Sequence, residues 1–244
     1  MSLQEKRRAI QKLIDQTNPS DAMAAYYAFY HDDDRTSIIT DQDVLESKSE
    51  PAEGYVAVSR TGIDLFRPLI TTRLNIDDLE KSAQLLKAAL PPGAEAFLAA
   101  PINYDPLIRA IFEVKSEQKL LLYTYPHGIP DPIVNIFVSQ DGASKTPRFI
   151  IKQTLNGQNV IVSSAGVNWM THNYVEIAVR TWSEYRRKGM AKSVVNALTR
   201  NIIENGRRPI YAVQDSNHAS IDLARTVGFQ DSGFRQLMFE VQAR

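Results

Sequence analysis

Four strand-like runs in succession constrain this chain more than any other feature. IVNIFVSQ (133–140), PRFIIKQTL (147–155), NVIVSSAGV (159–167) and YVEIAVRTW (174–182) follow one another with no helical pattern between them. Asn156-Gly157, between the second and third, is a strong two-residue hairpin signal. The period then changes. Ala191, Val194, Val195, Leu198 and Ile202 recur on one helical face, and Gly206 stops that helix. PIYAV (209–213) is a short strand, Ser216 or Asn217 opens another helix ending at Gly228, and RQLMFEV (235–241) is a further strand. An antiparallel sheet followed by strand, helix, strand, helix, strand is a mixed layout of the α/β (α+β) class.

The first half is organised differently. Residues 3–16 and 21–30 have helical spacing, the second with Ser20 as a candidate N-cap. GYVAVSR (54–60) and LFRPLITTRL (65–74) read as strands around Thr61-Gly62. NIDDLEKSAQLLKAALPPG reads as a helix capped by Asn75 or Asp77 and ended by Pro91 and Pro92. AFLAAP is a buried strand, YDPLIRAIF a helix with Pro106 in its first turn, and KLLLYTY (119–125) a strand. PHGIPDP (126–132) packs three prolines and a glycine into seven residues. A boundary there gives domains 1–127 and 128–244.

Composition removes several functions. There is no cysteine, which excludes disulfides, thiolate zinc sites and a cysteine nucleophile. Lys+Arg and Asp+Glu both number 28, so a general nucleic-acid binder is not expected. No segment approaches the roughly 18 apolar residues of a membrane span, and MSLQEKRRAIQKLIDQ lacks the apolar core of a signal peptide. The expectation is a cytoplasmic protein, monomer or homodimer, with no nucleic acid and no membrane as partner. HDDD (31–34) is the one run with a metal-like composition, but three adjacent aspartates cannot all face one ion. No metal is expected.

The chemistry concentrates in YRRKGMA (185–191), where Arg186, Arg187 and Lys188 run into Gly189 and Ala191 at the start of a helix. The first backbone N–H groups of a helix are unpaired, and with the dipole they form an anion site. The dipole disfavours cations there unless an anion joins them. Gly189 lets an oxyanion approach the backbone closely, and Ala191 keeps the next turn clear. The seven residues alone leave two readings open, a phosphate or pyrophosphate site and a solvated basic turn. Neither P-loop nor GxGxxG spacing fits.

The wider context favours one family. R-x-x-G-x-A at 186–191, preceded by VEIAVRT and followed by a helix, a strand, N-x-x-S and V-G-F, resembles the GCN5-related N-acetyltransferase (GNAT) superfamily. The resemblance runs from about Tyr174 to Phe229, and the strand order from Ile133 suits that fold's mixed, mostly antiparallel sheet flanked by helices. It implies acetyl-CoA as cosubstrate. Arg186, Arg187, Lys188, Gly189, Met190 and Ala191 would form the pyrophosphate loop, with Lys192 just behind. Main-chain groups of Val179 and Thr181 would face the pantetheine arm and acetyl carbonyl. Asn217, with Ser220 one turn on, matches a cofactor-contacting position, and Phe229 reads as core.

The resemblance has one departure. Many members carry a tyrosine seven residues after that asparagine as the acid for the leaving thiolate, and here the position is Ala224. Tyr211 is a candidate substitute, or else a half-buried sheet aromatic. Glu176, on the strand leading to the loop, is the candidate base, or else an exposed strand residue or a cation's partner. His172 and His218 are weaker candidates.

The first half lacks an R-x-x-G-x-A loop, yet its element order resembles a degenerate copy of the same fold. Two such units in tandem are therefore expected. AYYAFYHDDDR (25–35) then either lines an acceptor cleft or packs a helix into the core. The functional expectation is direct acetyl transfer from acetyl-CoA to a primary amine of a small molecule or peptide. Ala224 keeps a non-catalytic acyl-CoA-binding or regulatory module in play, and the loop alone keeps a general phosphate-ligand binder.

Overall fold

The computed structural model describes residues 1–45 and 51–244. They form two compact units, the first made of Met1–Leu120 with Arg235–Arg244 and the second of Leu121–Phe234. A linear cut at 127/128 differs from this division, whose border falls after Leu120 and whose first unit takes back the last ten residues. Among the described residues no helix is long and apolar enough to cross a membrane.

The first unit opens on α1 (Leu3–Ala9), which Ser2 and Glu5 start as a reciprocal capping box. The helix expected to continue to residue 16 stops at Ile10, and a 3-10 turn (Gln11–Leu13) follows. The expected Asp21–Tyr30 helix is also segmented. Asn18, not Ser20, caps a 3-10 turn at Pro19–Asp21, followed by α2 (Ala22–Ala25) and a π-helical turn, Tyr26–Tyr30. His31 N donates to Tyr26 O at 2.9 Å, and the His31 ring packs on Tyr26 and Tyr27, which holds that wider turn.

Strands β1 (Thr36–Thr40), β2 (Tyr55–Ser59) and β3 (Leu69–Arg73) form an antiparallel meander, with α3 (Asp41–Leu45) after the first. The β3 strand begins four residues later than LFRPLITTRL suggested. Pro68 has no N–H to pair, and Asp64 draws the amides of Phe66 and Arg67 into a turn. From β3 the chain crosses through α4 (Leu79–Lys87) to β4 (Glu95–Pro101), parallel to β3. Then come α5 (Asp105–Ile111) and β5 (Phe112–Thr124), within which the chain enters the second unit. Residues Gln236–Gln242 of β11 (Gln230–Ala243) return to pair antiparallel with β4. Leu85 and Leu86 of α4, Ile70, Leu98 and Phe239 are buried together in this unit's core.

In the second unit, β6 (Ser139–Gln140), β7 (Arg148–Leu155), β8 (Gln158–Met170) and β9 (Tyr174–Thr181) pair antiparallel in order. Asn156 and Gly157, at φ 51 and 77, make the expected two-residue turn between β7 and β8. The first expected strand, IVNIFVSQ, survives only as β6. Its apolar residues do not alternate, and Val134 and Phe137 are 85% and 87% exposed, while Ile136 and Val138 pack on the core. Helix α6 (Met190–Glu204) crosses over to β10 (Arg208–Gln214), parallel to β9, and α7 (His218–Val227) precedes β11. The apolar stripe of α6 (Val194, Val195, Leu198, Ile202) buries against Val175 and Ile177 of β9 and Val162 of β8.

Both units follow one plan: an antiparallel meander, a helical crossover and a parallel strand. This is the tandem arrangement expected from element order. In each, the parallel pairing is short. It covers Leu69↔Phe97 to Thr71↔Ala99 in one unit and Arg208↔Tyr174 to Ile210↔Glu176 in the other, and the strands continue beyond it.

Candidate active site

The site is built where β9 and β10 part. Their ladder ends at Ile210↔Glu176, but β9 runs on to Thr181 and β10 to Gln214. The edge of β9 beyond Glu176 that faces β10 therefore has no strand partner among the described residues, which leaves main-chain groups there for an extended ligand. Val179 lies in this open stretch. Thr181 ends it, with its hydroxyl on Ser163 Oγ at 2.8 Å and its carbonyl reached by Arg186 Nε at 3.4 Å.

The basic loop follows. Trp182 N donates to Val162 O at 3.0 Å, and a 3-10 turn at Ser183–Tyr185 brings the chain round. Arg187 takes φ 58 and Gly189 φ 78, so the loop turns twice through the left-handed region before α6. Gly189 is the N-cap and supplies no side-chain hydrogen bond; the first backbone bond of the helix is Ser193 N to Gly189 O at 3.0 Å. The amides ahead of Ser193 thus point out of the helix end with no side-chain cap. Arg186, Arg187, Lys188 and Lys192 are all exposed around that mouth. Lys188 Nζ lies 5.1 Å from the Tyr185 ring centroid, which holds one cation in place. Ala191 and Met190 are half-buried in the first turn.

The equivalent helix start in the first unit is closed. Asp78, rather than the expected Asn75 or Asp77, caps α4 by accepting Lys81 N at 3.0 Å. Asn75 accepts Asp77 N at 3.0 Å. The anion that the helix end attracts is its own carboxylate. The strand end is closed too: Tyr104 Oη accepts Leu74 N at 3.0 Å and donates to Leu74 O at 3.1 Å. HDDD disperses. Asp33 pairs with Arg7 at 2.6 Å, and the His31 ring lies 2.9 Å from Thr36 Oγ1.

Glu176 is the last β9 residue paired with β10 and is buried, with 6% exposure. It is not an exposed strand residue, and among the described residues it pairs with no cation. A bulge in β8 between Val167 and Trp169 frees Asn168, whose Nδ2 donates to Glu176 Oε2 at 2.6 Å. Burial raises the carboxyl pKa to about 7, against the opposing pull of hydrogen bonds from Asn168 and Trp169. Sequence reasoning singled out Glu176 but missed Asn168, because only the register shift brings it there.

Tyr211 follows the last paired residue of β10. It is buried rather than half-buried, and its hydroxyl lies 2.8 Å from Ser220 Oγ. Burial raises its pKa, so it stays protonated. Asn217 caps α7 by accepting Ser220 N at 3.1 Å. The structure thus joins Asn217, Ser220 and Tyr211 in one chain of contacts. Ala224 and Phe229 lie in the core beside Tyr211, and the Phe229 ring centroid is 5.7 Å from that of Tyr211. His172 and His218 are exposed and join none of these contacts.

Comparison with known proteins bears on the same segment. Residues 151–234 match the family model described as GNAT acetyltransferase. No curated protein matches the sequence. Among solved structures, a tandem GNAT protein from the clavulanic acid biosynthesis pathway superposes with a TM-score of 0.65 at 9% identity, covering 99% of this chain and 96% of its own. A GCN5-related N-acetyltransferase from Sphaerobacter thermophilus gives 0.60 at 10% identity, with coverage of 97% and 92%. One from Kribbella flavida gives 0.56 at 14% identity, with coverage of 82% and 91%. At these identities the likeness is one of fold: the chain shares the fold of these proteins over nearly its whole length, while the family model matches residues 151–234.

Proposed function

We propose that this GNAT-fold chain is an acetyl-CoA-dependent N-acetyltransferase whose chemistry belongs to residues 121–234. The observation that carries the reading is the difference between its two helix starts. Gly189 leaves the amides of α6 open among exposed cations, whereas Asp78 fills the corresponding place at α4.

Those residues suit a diphosphate. The α6 amides and Arg186, Arg187, Lys188 and Lys192 would hold it, and the open edge of β9 at Val179 and Thr181 would take the amide-rich arm. Bound acetyl-CoA would supply an activated thioester as acyl donor. Asn217 Oδ1 is already engaged with Ser220 N, so the side-chain amide nitrogen is the part left to contact a ligand.

Glu176 is the proposed base. With a pKa near 7 it is substantially ionised at neutral pH and still basic enough to take a proton from an ammonium acceptor. Asn168 Nδ2 holds its Oε2 at 2.6 Å. Tyr211 is the proposed acid, with Ser220 Oγ relaying its proton to the departing sulfur. Ordering donor and acceptor along β9 supplies the rest of the rate.

Ala224 favours a second reading, a module that binds acyl-CoA without turning it over. Calorimetry with acetyl-CoA and a CoA-release assay against a panel of amines separate the two. Binding with amine-dependent release is the expected result. Binding without release supports the second reading, and no binding overturns both.

A further inference from the structure

On the face of β9 opposite α6 lies an open cavity of about 270 Å³, contained in the second unit. Its floor is set by register. Arg148, Gly166 and Ala178 stand in one row across β7, β8 and β9, and Ser164 pairs with Arg180 in the next. Gly166 has no side chain, so Arg148 lies down against the sheet; a Cβ there would sit 3.6 Å from Arg148 Cγ. The hydroxyls of Ser144, Thr146 and Ser164 line the same cavity, and no acidic residue does. Arg148 shares its charge with Asp141 at 3.2 Å. Arg180 is exposed and has no ion pair among the described residues.

Side chains alternate along a strand, so Glu176, Ala178 and Arg180 share one face of β9. The proposed base, a small floor and a free guanidinium therefore follow one another, with Val179, at the open edge, also lining the cavity.

We propose that this cavity is the acceptor subsite and that the acceptor amine carries an anionic group, a carboxylate or a phosphate. Arg180 and Arg148 hold that anion in fork geometry, helped by the hydroxyls, and its amine extends along β9 towards Glu176. This rests on the acetyltransferase reading and names the substrate class for it.

The test compares matched acceptors that differ in charge: amino acids against their carboxamides, and O-phosphoethanolamine against ethanolamine. CoA release gives KM for each, and calorimetry gives affinity independently of turnover. The anionic member should have a KM about tenfold lower or better, and Arg180→Gln should erase that advantage while Arg180→Lys restores part of it. The two acid series separate carboxylate from phosphate. Equal KM within each pair overturns the inference and leaves the acetyltransferase reading standing. Loss of acetyl-CoA affinity in Arg180→Gln also overturns it, because the arginine would then serve the donor. If no amine supports release, the acetyltransferase reading fails, and calorimetry decides the subsite: tighter binding of the anionic ligand to wild type than to Arg180→Gln upholds it, and equal binding overturns it.

Discussion

At the residue scale, Glu176 sets the pH behaviour. Its folded pKa, about 7, lies above the usual 4.5, so the protonated form favours the fold. That contribution is complete below pH 4.5 and is lost as pH rises through about 7, a loss of roughly 3 kcal/mol. Glu176→Gln should therefore flatten stability against pH over this window, as read by denaturant titration. The same variant should remove the rise in acetyl-transfer rate through pH 7; an unchanged profile would exclude Glu176 as the base. Tyr211→Phe should lower kcat about a hundredfold with little effect on acetyl-CoA affinity, since only the proton donor is lost. Glu176 and Tyr211 could be named as candidates from the sequence. Their partners could not. Asn168 reaches Glu176 through a bulge, and Ser220 reaches Tyr211 from the next helix, so both contacts depend on packing that no local pattern encodes.

At the element scale, the start of α6 explains the most. Gly189→Glu would place a side chain at φ 78 and a negative charge among the open amides. Acetyl-CoA affinity should fall a hundredfold or more by calorimetry, with far-UV circular dichroism unchanged. Tyr104→Phe tests the closed counterpart. It leaves Leu74 N and O without their hydroxyl and should cost about 1–3 kcal/mol in stability, without moving acetyl-CoA affinity. Elements with their own punctuation were read well: Asn156-Gly157 as a hairpin turn, and Gly206 and Gly228 as helix ends. IVNIFVSQ and LFRPLITTRL were read as longer strands than they are. Composition favours a strand in both, but a proline in one and a lack of alternation in the other deny it the ladder.

At the scale of the whole molecule, the duplication of plan was legible as element order, but the path of the final strand was not. RQLMFEV follows the second unit in sequence and completes the first in space, pairing with β4 from Gln236↔Pro101 to Gln242↔Glu95. Long-range pairing of this kind leaves no mark on local periodicity. Deleting residues 235–244 removes Leu237, Phe239 and Val241 from the core they share with Leu98 and Ile108. Limited proteolysis of the truncated protein should then cut within residues 1–120 while 121–234 resists, and even digestion of both would contradict this division.

That strand also bears on how the chain is made. A ribosome releases residues 1–120 long before residues 235–244, and until then β4 has β3 on one side but lacks β11 on the other, and Phe239 is missing from the core around it. The half translated first is thus the half finished last. In the interval its unpaired strand edge is open to solvent and to wrong partners, the moment at which a chaperone would find it.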